Sequence, residues 1–243
     1  MVILKNILRS ILGKNNIGLF LKVYLFRVFR LFFETKNQPN NSILQTYSDL
    51  HNHVFFGYYD VTPFSTEEKY ILATKVPCGK HTTPSKTPLR IGYYSVLDNS
   101  NKFNEISTTE TWCWQQGCRL QWFPKVRNTI LFNVLRNGKY GSLVQNIKTK
   151  KILSSYSLPI YAISQDGEWG LSLNFSRLQR LRPGYGYSNI TDDTESELCP
   201  TYDGIYRINL STGEKKLLFS LKSISSLLPK ETMTEAEHYF NHL

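Results

Sequence analysis

The chain is 243 residues long, 41% hydrophobic and 14% aromatic, with four cysteines and a formal net charge of +10. That length and apolar content suffice for a buried core and exclude a disordered tail. Cys78, Cys113, Cys118 and Cys199 are too few and too scattered for a disulfide framework or a zinc site and read as reduced thiols.

Residues 1–36 carry Lys5, Arg9, Lys14, Lys22, Arg27, Arg30 and Lys36 against Glu34 alone, which leaves only +4 for the rest of the chain. The basic character belongs to a leader, and nucleic acid is not the expected partner of the remainder. Within the leader, residues 17–33 are apolar but interrupted by Lys22, Arg27 and Arg30. No unbroken run approaches the roughly 18 residues of a spanning helix. In helical projection the cations gather on one side, which predicts an amphipathic helix lying on an anionic membrane surface. A helix packed on the globular part or on a partner chain, and an atypical export signal, are the alternatives. The cations inside the apolar stretch set it apart from a secretory signal. Residues 37–50, polar around Pro39, form a linker to a globular domain over 51–243. The thiols and the leader place the protein in the cytoplasm at the membrane periphery, with export left open.

The globular part repeats. Segments 65–72, 124–131 and 164–171 align without gaps, each a polar turn running into a strand that starts at Tyr70, Thr129 or Trp169. Their partner strands, 93–98, 143–148 and 206–211, recur likewise. Recurrence every roughly 40 to 60 residues in an aromatic-rich chain predicts an all-β fold, a β-propeller. Residues 237–243 read as the start of a fourth unit. Propellers close with about four to eight blades, so the expectation is three blades and a fragment of a fourth, an incomplete ring that self-associates through its open edge.

Candidate site residues fall where the units begin. The first, 51–60, would bring His51, His53, Tyr58 and Asp60 to the rim of a central channel, with His51 and His53 pointing the same way on a strand. The second, 111–122, sets Trp114 beside Gln115 and Gln116, a pairing of ring and amides suited to a sugar. Indoles filling the space between blades and amides satisfying the backbone would explain the same residues. After 164–171 the chain makes an excursion with Arg177, Arg180, Arg182 and Tyr185, forks and rings suited to an acidic sugar or a phosphorylated ligand. A solvated loop neutralised by the acidic stretch 192–197 is the alternative. His238 and His242 lie at the start of the fourth unit.

Through residues 164–169 and 203–214 the repeat resembles the TolB-like and WD40-like β-propellers. The His and Gln residues at the unit entrances are similar to those of oligogalacturonate lyase, a propeller enzyme that holds a divalent metal with His and Gln and cleaves a uronate polymer. That resemblance implies a divalent metal such as manganese on His238 and His242, with Gln115 or Gln116 a poorer match. A lyase would also need a base and a cation to steady an enolate, roles open to His53 and to Arg177 or Arg182. The expected function is therefore glycan-directed, binding or acting on an acidic polysaccharide. The alternative is a non-catalytic, membrane-associated interaction module serving envelope or polysaccharide assembly. The chain carries no glycine-rich phosphate loop and no serine nucleophile elbow.

Overall fold

The computed structural model describes residues 47–79, 83–97 and 101–243. The predicted leader helix and residues 37–46 of the linker lie outside the described residues. Among the described residues, no helix is long and apolar enough to cross a membrane.

Among the described residues the fold is all-β, three four-stranded antiparallel sheets joined in chain order. The first holds β1 (Asn52–Phe55), β2 (Tyr70–Pro77), β3 (Leu89–Ser95) and β4 (Asn104–Thr109). The second holds β5 (Gln121–Trp122), β6 (Thr129–Arg136), β7 (Lys139–Asn146) and β8 (Ile152–Tyr156). The third holds β9 (Ala162–Ile163), β10 (Trp169–Ser172), β11 (Gly204–Asn209) and β12 (Lys215–Ser220). Each strand pairs with the next, so every sheet is a meander without a crossover. Helix α1 (Phe175–Leu181) sits in the excursion between β10 and β11, and α2 (Leu221–Ser225) follows β12.

The aligned segments are the turns that launch the second strand of each sheet. The Ser65 hydroxyl accepts from the Tyr70 amide at 3.1 Å, and the Ser164 hydroxyl accepts from the Trp169 amide at 3.0 Å. The third strands end alike too, with the amides of Val96, Ile147 and Leu210 donating to the carbonyls of Lys69, Asn128 and Glu168 at 2.8–2.9 Å. In the second unit the turn is one residue longer, closing from the Phe123 amide to the Thr129 carbonyl, where the first closes from Ser65 to Tyr70. The left-handed residue moves with it, from Glu68 in the first turn and Gly167 in the third to Asn128.

Packing follows chain order. One core cluster joins Leu72, Leu89 and Ile91 of the first sheet to Ile130, Phe132 and Leu143 of the second. Another joins Leu131 and Val144 of the second to Ile160, Ile208 and Leu210 beside the third. Strands β6 and β7 are both buried over most of their length, β6 as a largely apolar run and β7 with Gly141, Ser142 and Gln145 among its buried residues. Buried Asn133 ties the second sheet to the third, donating to the Ile160 carbonyl at 3.0 Å and accepting from its amide at 2.8 Å.

Residues 237–243, expected to begin a fourth unit, form no strand. Their polar groups go to side chains and loops instead. The His238 carbonyl accepts from Arg177 at 2.6 Å and its amide donates to Leu198. Phe240 and Leu243 pack on the cluster of Tyr161, Leu173, Phe175 and Tyr187, so burial of these two side chains holds the segment where sheet pairing does not.

Candidate functional site

The loops that precede β1, β5 and β9 or follow them meet around one buried arginine. Residues 113–117 form a tight loop, the amides of Cys113 and Gly117 each donating to the other's carbonyl at 3.0 and 2.9 Å. Gly117 sits at φ +59°, against the Phe56 carbonyl, where a Cβ would lie 3.2 Å from that oxygen. This close approach locks the loop to residues 56–57.

Two residues on, Arg119 also adopts positive φ, which turns its side chain into the gap between sheets. Its Nη1 and Nη2 donate to the two carboxylate oxygens of Asp60 at 3.1 and 3.0 Å, and its Nε donates to the Tyr161 carbonyl at 2.8 Å. The guanidinium also lies 3.9 Å from the Tyr161 ring centroid. Arg119, Asp60 and Tyr161 come from the entrances of the three sheets, so this bidentate pair links all three. Burial raises the Tyr161 hydroxyl above the usual phenol value, an effect that neighbouring Arg119 partly offsets.

The two predicted Trp and Gln pairs divide. Trp112 is fully buried and its indole N–H donates to the Thr87 carbonyl at 2.8 Å, a packing role. Trp114 is 42% exposed, with His53 edge-on at 5.7 Å and Phe55 tilted at 5.7 Å. Gln115 faces solvent while its amide donates to the Gly184 carbonyl at 3.3 Å. Gln116 is buried and its side-chain amide donates to the Asn241 Oδ1 at 3.2 Å.

Beside this loop, Tyr58 stacks on His242 at 5.4 Å and meets Tyr59 and Tyr185 at 4.3 and 6.2 Å. Loss of surrounding water, then the neighbouring phenols Tyr59 and Tyr185, hold the Tyr58 hydroxyl above its ordinary value. Arg182 lies 4.1 Å over the Tyr185 ring. The structure thus gathers His53, Tyr58, Asp60, Trp114, Gln115, Gln116, Arg182, Tyr185 and His242 around one mouth.

Other predicted residues stand apart from it. Arg177, expected as a catalytic cation, is 1% exposed. Its Nε donates to the His238 carbonyl, its Nη1 to the Thr194 carbonyl and hydroxyl, and its Nη2 to the Glu197 and Leu198 carbonyls. All five donors of the fork are engaged, so the reading of Arg177 as catalytic gives way to a structural hub. Arg180, expected to bind substrate, is held by both Glu237 oxygens at 2.6 and 2.7 Å and by Asp192 at 2.9 Å. Glu237, then Asp192, raise its already high basicity further. The acidic stretch thus neutralises part of the excursion, as the alternative reading held.

His51 is exposed ahead of β1, its amide donating to Asp49. His238 and His242, the expected metal pair, have different neighbours. His238 Nδ1 lies 2.8 Å from the Ala236 carbonyl and 3.2 Å from Cys199 Sγ, whereas His242 stacks on Tyr58. Among the described residues, no group of three or more His, Cys, Asp or Glu gathers as metal ligands would. All four cysteines are unpaired, and burial pushes the thiols of Cys113 and Cys118 up to about 12.

Arg119, Tyr161 and Asn241 were not anticipated from the sequence. Arg119 had a signal, a lone charge between Cys118 and Leu120 in an apolar stretch, which requires a buried partner. Asn241 had none. A separate cleft of about 460 Å³, lined by Tyr140, Phe175, Asp193, Tyr202, Asp203 and Tyr206, includes none of the anticipated residues.

No protein-family model and no curated protein matches the chain. Among solved structures, the apo form of AtxE2 isopeptidase aligns with 75% of the chain at a TM-score of 0.41 and 11% identity. The chain spans 32% of that protein's length, a likeness too slight to carry fold or chemistry across.

Proposed function

We propose that the three meanders are consecutive blades of a partial β-propeller and that the mouth around Arg119 binds a glycan without cleaving it. The blade reading is supported by the unbroken strand order of each sheet, the equivalent turn bonds and the core clusters between successive sheets.

One observation carries the binding reading: aromatic rings stand open to solvent at the mouth, Trp114 at 42% and Tyr59 at 83%, beside half-buried Tyr58 and Tyr185. A sugar ring stacks on such faces while nearby amides and imidazoles meet its hydroxyls. Arg182, which forms no ion pair with a carboxylate among the described residues and is engaged by Tyr185 and Tyr239 alone, is the fork that would meet a uronate at the rim. Binding is favoured over lyase chemistry because Arg177 is enclosed, Arg182, the other expected cation, lies on the Tyr185 ring, and His53 lies against Trp114.

Titration with cellohexaose and hexagalacturonate, followed by tryptophan fluorescence and calorimetry, tests this. Trp114→Ala is expected to weaken binding about tenfold, or roughly 1.4 kcal/mol, and Arg182→Gln to weaken only the acidic oligosaccharide. Equal binding by wild type and Trp114→Ala would remove the mouth from consideration. A second reading, an interaction module in envelope or polysaccharide assembly with the leader at a membrane, is supported by exposed Phe219, Leu227 and Leu228 near the end of the third sheet.

A further inference from the structure

Beneath residues 241–242 lie two buried polar atoms that make no well-formed hydrogen bond. They are Gln116 Oε1 and Tyr161 Oη, Gln116 being 1% exposed and Tyr161 fully buried. A buried polar group left dry in this way destabilises the closed state. The covering segment makes a single contact to Gln116, through Asn241 Oδ1, and that oxygen already accepts from the His242 amide at 3.0 Å. Burial raises the pKa of the Tyr161 hydroxyl, while the His242 backbone amide and the Gln116 side chain also lie toward it and lower it. The segment thus seals the site while meeting its hydrogen-bonding capacity only in part.

The segment is held unevenly. Its beginning is clamped, Glu237 by Arg180 and the His238 carbonyl by Arg177. Its end rests on the stack of His242 against Tyr58 and on partly buried Phe240 and Leu243. His242 also sits at φ +62°, a left-handed conformation unfavourable for an L-residue.

We infer that residues 239–243 are a displaceable strap over an inner subsite that takes the hydroxyls of a neutral sugar. The inference rests on the glycan-binding reading above and adds both the ligand's charge class and the regulation of the site. A hydroxyl donates and accepts at once, so one or two on a sugar ring would accept from Tyr161 Oη–H and donate to Gln116 Oε1. The arginine beneath is already balanced by Asp60 through a bidentate pair, so the inner subsite offers no net positive charge to a uronate. The anchors at Arg177 and Arg180 confine the movement to residues beyond His238, and the stack on Tyr58 makes the strap a competitor for the same ring that a sugar would cover.

The test compares the full chain, a form lacking residues 239–243, and Leu243→Glu, which keeps the chain length and loosens the strap's end. Cellohexaose and hexagalacturonate binding is measured by calorimetry, and amide hydrogen exchange is followed with and without cellohexaose. The expected result is about tenfold tighter cellohexaose binding in both variants with no matching gain for hexagalacturonate. In the full chain, cellohexaose should speed exchange in 239–243 and slow it in 115–119. Unchanged affinity in the loosened variants, or protection of 239–243 by the sugar, overturns the strap and leaves glycan binding standing. If no form binds either oligosaccharide, the glycan reading falls and the strap falls with it.

Discussion

Arg177 and Arg119 illustrate how one residue type serves two ends. Both are buried, yet Arg177 donates to carbonyls and a hydroxyl of loops 194–198 and 238 with the Asp192 carboxylate 3.9 Å away, whereas Arg119 donates directly to a carboxylate and a backbone carbonyl at the junction of three sheets. Arg177→Ala would strand several buried acceptors at once, and about 3–5 kcal/mol of stability should be lost in urea unfolding. Arg177→Lys should recover little, because an ammonium offers three donors without the planar fork. A loss under 1 kcal/mol would return Arg177 to the list of functional candidates. The arginine-rich stretch was legible as a set of forks, but its partners were not. The residues that engage them lie up to 61 positions away, and no local pattern announces a contact at that separation.

At the level of the element, the repeated turns were the most legible feature, because each is governed by local backbone chemistry. The third-strand ends show it. Asn146 Oδ1 accepts from the amides of Lys148 and Thr149, and Asn209 Oδ1 accepts from those of Ser211 and Thr212. Four residues after each Asn the chain turns left-handed, at Lys150 with φ 58° and at Gly213 with φ 77°. Lys150 bears the strain of an L-residue there, about 1–2 kcal/mol, against roughly 0.5–1 kcal/mol for the extra chain entropy of glycine. Lys150→Gly should therefore stabilise the protein by about 0.5 kcal/mol and Gly213→Ala should destabilise it by a similar amount or more. Paired thermal melts would read both, and a destabilising Lys150→Gly would contradict the strain argument.

For the molecule as a whole, the sheets are not equally covered. Strands β6 and β7 are buried on both faces, whereas β10, β11 and β12 mix buried with half-exposed or exposed positions. Around the third sheet, Tyr202, Phe219, Leu227 and Leu228 are exposed. Lys215 and Lys216 guard the start of the edge strand, but Phe219 near its end does not repel a second chain. Concentration-dependent self-association is therefore expected in sedimentation velocity, and Phe219→Glu with Leu228→Glu should shift the protein toward monomer. An unchanged distribution would mean that this face does not mediate association.

The sequence by itself determined the class of structure and its modular grammar. Strand starts at Tyr70, Thr129 and Trp169 follow from turn chemistry a few residues long, and such short-range rules survive any tertiary arrangement. It also singled out residues at the starts of units and in the excursion, of which His53 with Trp114 and Tyr58 with Tyr185 make ring contacts in the fold. Tertiary structure alone decided which side chains are free. Trp112 was drawn into the core and Trp114 left in water, Arg177 was enclosed and Arg182 left at the rim, and residues 237–243 were folded across the mouth and not into a sheet. Those outcomes depend on desolvation and on partners distant in the chain, quantities that exist only once the sheets have packed.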